Sequence, residues 1–301
     1  MKRKILVDVG SSTVKVYKWE NKELKLLFAK TIHFKNGFTS SAGISKTSKN
    51  KLFSLIQKIR SDHPGISVQI YATAVFRKME KSVLIKFKID FFKNTGVKFR
   101  VISQELENEC LRFALIGKYQ GKKKIMLVNI GGGSTEIVII KNKIVVDRKN
   151  IDFGVSNILS KFSGINKNIS DVSANEVIKF VSTFFPKIEK TAIAFYSGGE
   201  LTYMRLSGYK LEKNLLFKDA SHPFYISIEN FRKRNKDIFK KITIKKLQKL
   251  MPQNPEWMLG ARACSVLSES IFIKYGVKTI IPSDVNLIDG LVARDLVNTK
   301  D

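Results

Sequence analysis

The sequence has few of the residues that build disulfides and metal sites. It contains two cysteines, Cys110 and Cys264, and three histidines, His33, His63 and His222. Both cysteines lie in apolar helical patterns without a CxxC spacing, so we predict buried free thiols and no redox chemistry. The histidines are far apart and share no ligand spacing, which argues against a zinc site and favours structural or exposed roles.

Long apolar runs are also absent. The longest, such as residues 125–133 and 136–140, are far shorter than the roughly 20 residues that span a bilayer. The basic start MKRK leads directly into a strand that is interrupted by Asp8, unlike the apolar segment of a signal peptide. We therefore expect a cytoplasmic protein with no signal peptide and no membrane partner.

Acidic residues are scarce relative to basic ones. The chain has 26 Asp and Glu residues against 54 Lys and Arg residues, a formal net charge of +28. Such a charge would concentrate phosphate-rich anions at any cleft that it lines. Lysines spread over helices are also typical of solvated helix faces, our first interpretation of residues 231–246, with a surface that guides polyanions as the alternative. Without a zinc finger, RNP motif or helix-turn-helix pattern, nucleic acid is not the expected main partner.

The length and the pattern of elements predict two α/β domains. At 301 residues and 44% hydrophobic composition, the chain exceeds what one core usually supports. The first half reads as three antiparallel strands with a turn at residues 20–22, a loop over 36–50, and then alternating helices and strands. One predicted helix covers residues 80–94, and another ends near Gly117.

The second half repeats the opening about 120 residues later. An apolar strand, a glycine and hydroxyl turn, a second strand, a turn at residues 141–143 and a third strand follow in the same order. The remaining predicted elements are helices within 171–190, a strand at 191–199, a basic helical stretch around 226–250, a helix within 259–276, a strand at 278–283 and a terminal helix. We predict duplicated domains over residues 1–118 and 119–301, whose two phosphate-sized turns can face each other across a cleft.

The first turn, DVGSST at residues 8–13, has the composition of an anion-binding loop, although such a sequence is also typical of an ordinary hairpin turn. Gly10 permits a tight turn that lets backbone amides converge on a phosphate. Asp8 is placed to hold Mg²⁺ through water or to orient a nucleophile. The hydroxyl groups available to the phosphate are those of Ser11, Ser12 and Thr13.

The second turn, NIGGGSTE at residues 129–136, is more specific. Consecutive glycines remove side chains from the turn, so that backbone amides can approach phosphate oxygens closely. Glu136 then begins the next strand at the edge of the predicted cleft. The predicted phosphate-binding residues are Gly131, Gly132, Gly133, Ser134 and Thr135.

These two turns resemble the phosphate loops of the exopolyphosphatase and guanosine pentaphosphate phosphatase (Ppx/GppA) family, within the sugar kinase, heat-shock protein and actin superfamily. Further segments that resemble the family in order and spacing are YATAVFRK with Thr73 and Arg77, VISQELENE with Glu107, FYSGGELT with Gly198 and Gly199, and PSDVNLIDG at 282–290. The resemblance implies duplicated actin-like (ribonuclease H-like) domains with mixed sheets flanked by helices, an interdomain phosphate-binding cleft, and a terminal helix that packs back on the first domain.

The resemblance also implies a mechanism. Glu107 would activate a water that attacks a terminal phosphoryl group, and Arg77 would neutralise charge on the phosphoryl oxygens. Asp8 and Glu136 would be the ligands of Mg²⁺ or another divalent cation, and Gly198 and Gly199 would add to the phosphate site. The implied substrate is short inorganic polyphosphate or guanosine pentaphosphate, and the implied assembly is a homodimer. From the residues alone, Glu107 is also typical of a solvated acid at a helix start, and Arg77 of a surface cation.

Four positions depart from the family pattern. Asn129 stands at a catalytic position where the family has Asp, and an amide does not supply the same charge. The other departures are Ser12 for Asn, Gln104 for Gly and Glu200 for Thr. The change at Asn129 motivates an alternative function, a catalytically weak sensor that binds polyphosphate or nucleotide. A kinase of the same superfamily is a further alternative, which no sugar-binding signature supports.

Overall fold

The computed structural model describes residues 3–116, 119, 123–217, 219 and 221–297. The chain divides into two compact units. The first contains the residues up to Cys110 together with those from Leu287 onwards, and the second contains Leu111–Asn286. The domain border predicted at residue 118 and the helix end predicted near Gly117 lie outside the described residues.

The first half of the chain supplies five strands, three α-helices and one 3₁₀ helix among the residues described. The elements are β1 (Lys4–Val9), β2 (Thr13–Glu20), β3 (Glu23–Thr31), α1 (Lys46–Asp62), β4 (Ser67–Ala72), a 3₁₀ helix (Ala74–Lys78), α2 (Lys81–Thr95), β5 (Phe99–Val101) and α3 (Gln104–Ile116). The strands form one sheet in the order β3-β2-β1-β4-β5. Strand β1 is antiparallel to β2 and parallel to β4, so the sheet is mixed.

The rest of the chain forms a larger sheet with its own helices. The elements are β6 (Ile125–Ile130), β7 (Thr135–Lys141), β8 (Ile144–Ile151), α4 (Val155–Lys161), a 3₁₀ helix (Ser163–Asn166), α5 (Ala174–Ser182), β9 (Ile193–Ser197), α6 (Glu200–Leu206), β10 (Glu212–Lys213), β11 (Phe224–Ser227), α7 (Ile228–Lys240), α8 (Ile244–Lys249), a 3₁₀ helix (Pro255–Gly260), α9 (Ala261–Lys274), β12 (Thr279–Pro282) and α10 (Leu287–Ala293). The strand order is β10-β11-β12-β9-β6-β7-β8.

Strand β1 is apolar along most of its length because both of its faces are covered. Ile5 and Val7 belong to the core that contains residues of α1 and α2. Leu6 points to the opposite face, where it joins a cluster with Leu287 and Leu291 of α10. Successive side chains of a strand point to opposite faces, so a strand buried on both sides reads as a continuous apolar run rather than an alternating one.

The two opening hairpins are close copies of each other. Residues Asn21 and Lys22 between β2 and β3 have φ angles of 54° and 66°, and residues Asn142 and Lys143 between β7 and β8 have φ angles of 51° and 65°. Positive φ at both central residues is the signature of the two-residue type I′ turn, which asparagine tolerates. The offset from Asn21 to Asn142, 121 residues, is also the offset from Asp8 to Asn129. The predicted duplication is therefore present in the backbone.

Some element boundaries differ from the sequence prediction. The loop predicted over residues 36–50 ends earlier, because Ser45 caps α1 by accepting a hydrogen bond from the Ser48 N–H. The basic stretch around 226–250 is two helices rather than one, with Thr243 as the cap that starts α8. The short elements α4, α6, β10 and β11 were not predicted, since they are too brief to show a clear periodicity.

The basic segment over residues 231–246 has one buried and one solvated face. Phe231, Ile238 and Phe239 of α7 are buried in the core of the second unit. Lys233 and Lys236 are exposed, as expected for a solvated helix face. Within the described ranges, no helix is both long enough and apolar enough to cross a membrane.

Both cysteines are free thiols, as predicted. Cys110 is buried, whereas Cys264 is half-buried. Burial raises the pKa of both thiols. Each is therefore held in its neutral form, in keeping with a packing role and not with redox chemistry.

Candidate active site

The first phosphate turn is closed by its own backbone. The Gly10 N–H donates to the Thr13 carbonyl at 3.0 Å. The carbonyl oxygens of Ser11 and Ser12 accept hydrogen bonds from the N–H groups of Phe34 and Ile32, at 3.2 and 3.0 Å. Carbonyl oxygens would repel a phosphate, so engaging them with protein donors leaves the turn better suited to an anion.

Asp8 precedes this turn and lies near two other acids. It is opposite Lys15 in the antiparallel pair of β1 and β2. Burial raises the pKa of Asp8 to about 7; the Lys15 ammonium group opposes the shift, and the carboxylates of Glu107 and Asp289 add to it. The first unit thus gathers three carboxylates, of which Asp289 was not predicted as a site residue.

Asp289 reaches this cluster through the packing of α10. Gly290 lies so close to α3 that a Cβ atom added there would be 2.2 Å from the carbonyl oxygen of Cys110. Only glycine allows this approach. The acid in the preceding position is thereby placed near Asp8, and the sequence signal for it was the pair Asp289-Gly290 within the PSDVNLIDG segment.

Arg77 and Glu107 form an ion pair inside the first unit. The Arg77 Nη1 atom donates to Glu107 Oε2 at 2.6 Å and to the Ile102 carbonyl at 3.1 Å. A second guanidinium nitrogen donates to Gln104, one of the residues that depart from the family pattern. The side chains of Arg77 and Glu107 are only 18% and 12% exposed. Neither is the solvated surface charge that was the alternative interpretation.

Glu107 has the electrostatic setting of a base that titrates above its ordinary range. Burial raises the pKa of Glu107, and the charge and hydrogen bond of Arg77 oppose the rise. The helix that carries it is capped by Ser103, whose hydroxyl accepts from the Leu106 N–H at 3.2 Å. Glu107 is therefore held on a fixed first turn of α3, paired with the Arg77 guanidinium.

A strained turn precedes Arg77 and directs its side chain towards Glu107. Ala74 has a φ angle of 49°, an uncommon conformation for a residue with a side chain. The turn is anchored by the Thr73 N–H, which donates to the Val9 carbonyl at the end of β1, at 3.0 Å. Backbone strain of this kind often accompanies functional positions, and here it directs the 3₁₀ helix that carries Arg77.

The second phosphate turn repeats the geometry of the first. The Gly131 N–H donates to the Ser134 carbonyl at 2.8 Å, the counterpart of the Gly10 bond. The carbonyls of Gly131 and Gly132 accept from the N–H groups of Val155 and Ser156, at 3.1 and 2.7 Å. As in the first turn, loop carbonyls are engaged by protein donors.

Gly154 makes this second arrangement possible, and the sequence analysis did not identify it. A Cβ atom at Gly154 would be 2.4 Å from the Gly131 oxygen and 2.7 Å from the Gly133 nitrogen. The start of α4 therefore packs directly on the loop backbone. The available signal was a glycine immediately before a short helical segment, which is weak by itself.

Asn129 and Glu136 lie opposite each other across β6 and β7. The amide nitrogen of Asn129 donates to Glu136 Oε2 at 3.1 Å, and Ser134 Oγ donates to Glu136 Oε1 at 3.0 Å. The Asn129 oxygen accepts from Ser197 Oγ at 3.5 Å. Glu136 is buried, and both of its carboxylate oxygens accept hydrogen bonds.

Thr135 requires a correction to the predicted phosphate site. Its side chain is fully buried, and its hydroxyl donates to the Phe153 carbonyl at 2.7 Å. A hydroxyl enclosed in this way does not face a ligand. Thr135 instead anchors the end of the glycine turn to the segment after β8.

The third glycine segment lies beside Asn129. Gly198 and Gly199 have φ angles of 121° and 104°, in the region that glycine favours. A Cβ atom at Gly198 would be 3.6 Å from the Asn129 side-chain oxygen. Glu200 follows and is buried, with the Cys264 thiol 3.8 Å from its carboxylate.

A chain of Ser283, His222 and Asp219 in the second unit has the connectivity of a nucleophilic triad. Ser283 Oγ lies 3.0 Å from His222 Nε2, and His222 Nδ1 lies 2.8 Å from an Asp219 oxygen. The side chains of Ser283 and His222 are completely buried. An enclosed hydroxyl is not accessible to substrate, so these hydrogen bonds instead fix the segment before α10. His222 therefore has a structural role, one of the two roles predicted for it.

The described residues offer magnesium a partial site only. No group of three or more His, Cys, Asp or Glu side chains in these ranges could hold a metal ion. Mg²⁺ often binds through one or two carboxylates together with waters and substrate phosphates. Asp8 fits that mode, because a cation would relieve its repulsion with Glu107 and Asp289. Glu136 fits poorly, because its neighbour across the strands is the Asn129 amide nitrogen, a donor that faces its Oε2 at 3.1 Å and cannot act as a second ligand.

The fold is shared with solved structures of similar length. An exopolyphosphatase from Cytophaga hutchinsonii matches with a TM-score of 0.78 at 13% sequence identity, over 99% of each chain. A Ppx/GppA family member from Aquifex aeolicus matches with a TM-score of 0.68 at 18% identity, over 100% of this chain and 99% of that chain. At such identities the similarity establishes the fold: two actin-like units, each a mixed sheet flanked by helices.

The sequence identifies the family within this fold. The model of the Ppx/GppA phosphatase family matches residues 16–296. The chain belongs to the Ppx/GppA phosphatase family, which confirms the resemblance that the loop motifs indicated. A comparison with curated proteins finds no match.

Proposed function

We propose that this protein is a phosphoanhydride hydrolase that releases terminal phosphate from short inorganic polyphosphate or guanosine pentaphosphate. The observation that carries the proposal is the Arg77–Glu107 pair beside Asp8 and the first phosphate turn. Membership of the Ppx/GppA phosphatase family supports it, as does a neighbour described as an exopolyphosphatase.

In the proposed reaction a water oxygen attacks the terminal phosphorus while the bond to the bridging oxygen breaks. Glu107 takes the proton of the attacking water, a role that suits a carboxylate whose pKa burial raises above its ordinary value. The products are orthophosphate and a chain shorter by one phosphate. Positioning and charge stabilisation supply most of the catalysis in phosphoryl transfer.

Arg77 is a positioning residue for Glu107 in this proposal. Its bonds to the Ile102 carbonyl and to Gln104 fix the guanidinium, and its charge favours the ionised form of the base. The backbone amides of the turns at Gly10–Thr13 and Gly131–Ser134 would bind phosphate oxygens. Mg²⁺, when bound beside Asp8, supplies positive charge to the substrate oxygens.

Phosphate release from tripolyphosphate and from guanosine pentaphosphate, with and without Mg²⁺, tests the proposal. We expect Glu107→Gln to lower the rate by about 100-fold or more, the scale of general base catalysis. Glu105→Gln is the matched control, because Glu105 is an exposed acid on the same turn of α3, and it should retain activity. Equal rates for wild type and Glu107→Gln would exclude Glu107 as the base.

The second candidate function is a sensor that binds the same ligands and turns them over slowly. The observation that favours it is the uncharged Asn129 at the start of the second loop. Saturable binding of tripolyphosphate without phosphate release by the wild-type protein would support this function. Release that depends on Glu107 would reject it.

A further inference from the structure

The second phosphate loop contains one carboxylate where the family pattern has two. Asn129 and Glu136 are directly opposite on neighbouring antiparallel strands, and side chains in such positions lie about 5 Å apart at Cβ. Two carboxylates in these places would repel each other and would need a shared proton or a cation between them. The amide of Asn129 removes that need by donating to Glu136.

The first unit also avoids two facing carboxylates at the corresponding pair of positions, but with other residues. Asp8 and Lys15 are opposite each other on β1 and β2, at the positions that correspond to Asn129 and Glu136 by the shared offset of 121 residues. There the acid lies on the first strand and a lysine opposes it. Each hairpin therefore carries one carboxylate and one nitrogen donor at this pair. The acid lies on the first strand of the hairpin in the first unit and on the second strand of the hairpin in the second unit.

Each carboxylate oxygen of Glu136 accepts a hydrogen bond from a side chain. Its second oxygen accepts from the hydroxyl of Ser134 in the loop itself, and only 5% of the residue is exposed. A divalent ion placed between residues 129 and 136 would have to displace the Asn129 N–H, a donor that cannot act as a ligand. The hydrogen bond from Asn129 thus occupies the place that a metal would take between acids at positions 129 and 136.

The same network prepares the loop for an anion. The carbonyls of Gly131 and Gly132 are engaged by the first turn of α4, while the three successive glycines leave the loop amides unshielded by side chains. At this pair a phosphate meets one carboxylate, that of Glu136. A second acid at residue 129 would add one more negative charge beside the loop.

We infer that the second phosphate loop binds phosphate oxygens without a divalent cation, and that the amide of Asn129 takes the place of the metal beside Glu136. The inference rests on the proposed role of this loop as a phosphate site. It makes Asn129 a residue that determines the metal requirement of the loop. Any cation that the protein uses then belongs with Asp8 in the first unit.

Calorimetry with inorganic phosphate on the full chain tests the inference, first in EDTA and then with Mn²⁺. We expect wild type to bind phosphate in EDTA. Asn129→Asp should bind about tenfold more weakly in EDTA, a loss consistent with one added charge at short range, and Mn²⁺ should restore its affinity. In the double variant Asn129→Asp/Glu136→Gln, which again has one acid, binding in EDTA should recover.

Electron paramagnetic resonance of Mn²⁺ gives a second readout that does not involve activity. Asn129→Asp should bind one more Mn²⁺ ion than wild type, and the double variant should lose that ion. Asn142→Asp, the same change in the turn between β7 and β8, is the matched control and should leave both readouts unchanged.

The wild-type measurement decides the inference even if a variant fails to fold. Phosphate binding by wild type that requires Mn²⁺ overturns the inference and leaves the proposed hydrolase standing. An absence of phosphate binding in both conditions overturns the inference together with the phosphate-site role of the loop.

Discussion

The Arg77 guanidinium donates to Glu107 at 2.6 Å and to the Ile102 carbonyl at 3.1 Å, so the arginine joins the end of β5 to the first turn of α3. Because Arg77 already has these partners, its first effect is on Glu107 and not on a ligand. It favours the ionised carboxylate against the burial that raises the pKa of Glu107. Removing it should therefore change the pH dependence of the reaction as well as its rate.

We predict that Arg77→Met shifts the acidic limb of the rate profile to higher pH. Loss of the cation raises the pKa of Glu107 further, so the base is ionised over a narrower range. At pH 7 the value of kcat/KM should fall by about 10- to 100-fold, as expected when a charge-assisted hydrogen bond to a catalytic group is lost. Part of the loss should be recovered at alkaline pH.

The control for this prediction is Arg294→Met. Arg294 pairs at 2.9 Å with Glu109, which lies on α3 as Glu107 does. Both side chains of this pair are substantially exposed. Its loss should leave the pH profile in place. An acidic limb that does not move in Arg77→Met would show that Arg77 does not control the ionisation of the base.

We predict that Asp8→Asn stabilises the protein at alkaline pH. The folded-state pKa of Asp8, about 7, lies above the ordinary value of 3.8. An acid whose pKa is raised by folding makes its full contribution to stability below about pH 4. This contribution is lost as the pH rises towards 7, because the carboxyl group releases its proton at a lower pH in the unfolded chain than in the folded one. In EDTA at pH 8, Asp8→Asn should have an unfolding free energy higher by about 1–3 kcal/mol, and at pH 4 the difference should shrink.

Urea denaturation at the two pH values, with and without Mg²⁺, measures this effect. Mg²⁺ should raise the stability of wild type at pH 8 more than that of Asp8→Asn, since a ligand that binds only the folded state stabilises it. A difference between the variants that is the same at pH 4 and pH 8 would contradict the assignment of the raised pKa to Asp8. Asp8→Asn should also reduce phosphate release, so stability and activity change in opposite directions.

The hairpins and their turns could be predicted because their signals are local. Strand alternation, glycine turns and the Asn-Lys pairs at residues 21 and 142 each lie within a short window of sequence. The pair of Asn129 and Glu136 also follows from the hairpin, since the length of the turn sets which residues are opposite. The sequence analysis noted both residues but did not combine them.

Other parts of the site depend on contacts between distant segments. Asp289 lies near Asp8 only because Gly290 lets α10 approach the carbonyl of Cys110. Helical periodicity indicates which face of a helix is apolar, but it does not indicate which strand that face meets. Gly154 could not be predicted for the same reason, because its importance comes from its contact with the loop at Gly131, which is distant in sequence.

We predict that Gly154→Ala disrupts the second phosphate loop. The added methyl group would lie 2.4 Å from the Gly131 oxygen and 2.8 Å from the Ser134 nitrogen, and these are backbone atoms that move only if the loop moves. The unfolding free energy should fall by about 2 kcal/mol, within the range for overpacked sites, and phosphate affinity should fall with it. Gly260→Ala is the control, because its methyl group would meet only a Val155 side-chain carbon at 3.2 Å. Equal phosphate affinity in Gly154→Ala and wild type would refute a role for this contact.

We predict that Arg262 is essential for the stability of the second unit and not for its chemistry. The side chain is completely buried on α9, and its three nitrogens donate to five carbonyl groups. The acceptors are those of Ile165, Lys167, Asn168, Ile238 and Ile242. Arg262→Met would remove this donor from all five carbonyls, of which Asn168 keeps a second donor, the Ile244 N–H at 3.0 Å. Unsatisfied buried acceptors are costly, so the unfolding free energy should fall by about 3–5 kcal/mol.

The matched control is Arg232→Met, because Arg232 makes an ion pair at 3.2 Å with Glu269 while its own side chain is 57% exposed. An exposed pair contributes at most about 1 kcal/mol. If the guanidinium of Arg262 acts only by holding carbonyls together, phosphate release per folded molecule should be unchanged in Arg262→Met at low temperature. Equal losses of stability in the two variants would show that burial of Arg262 does not have the consequence argued from its five acceptors.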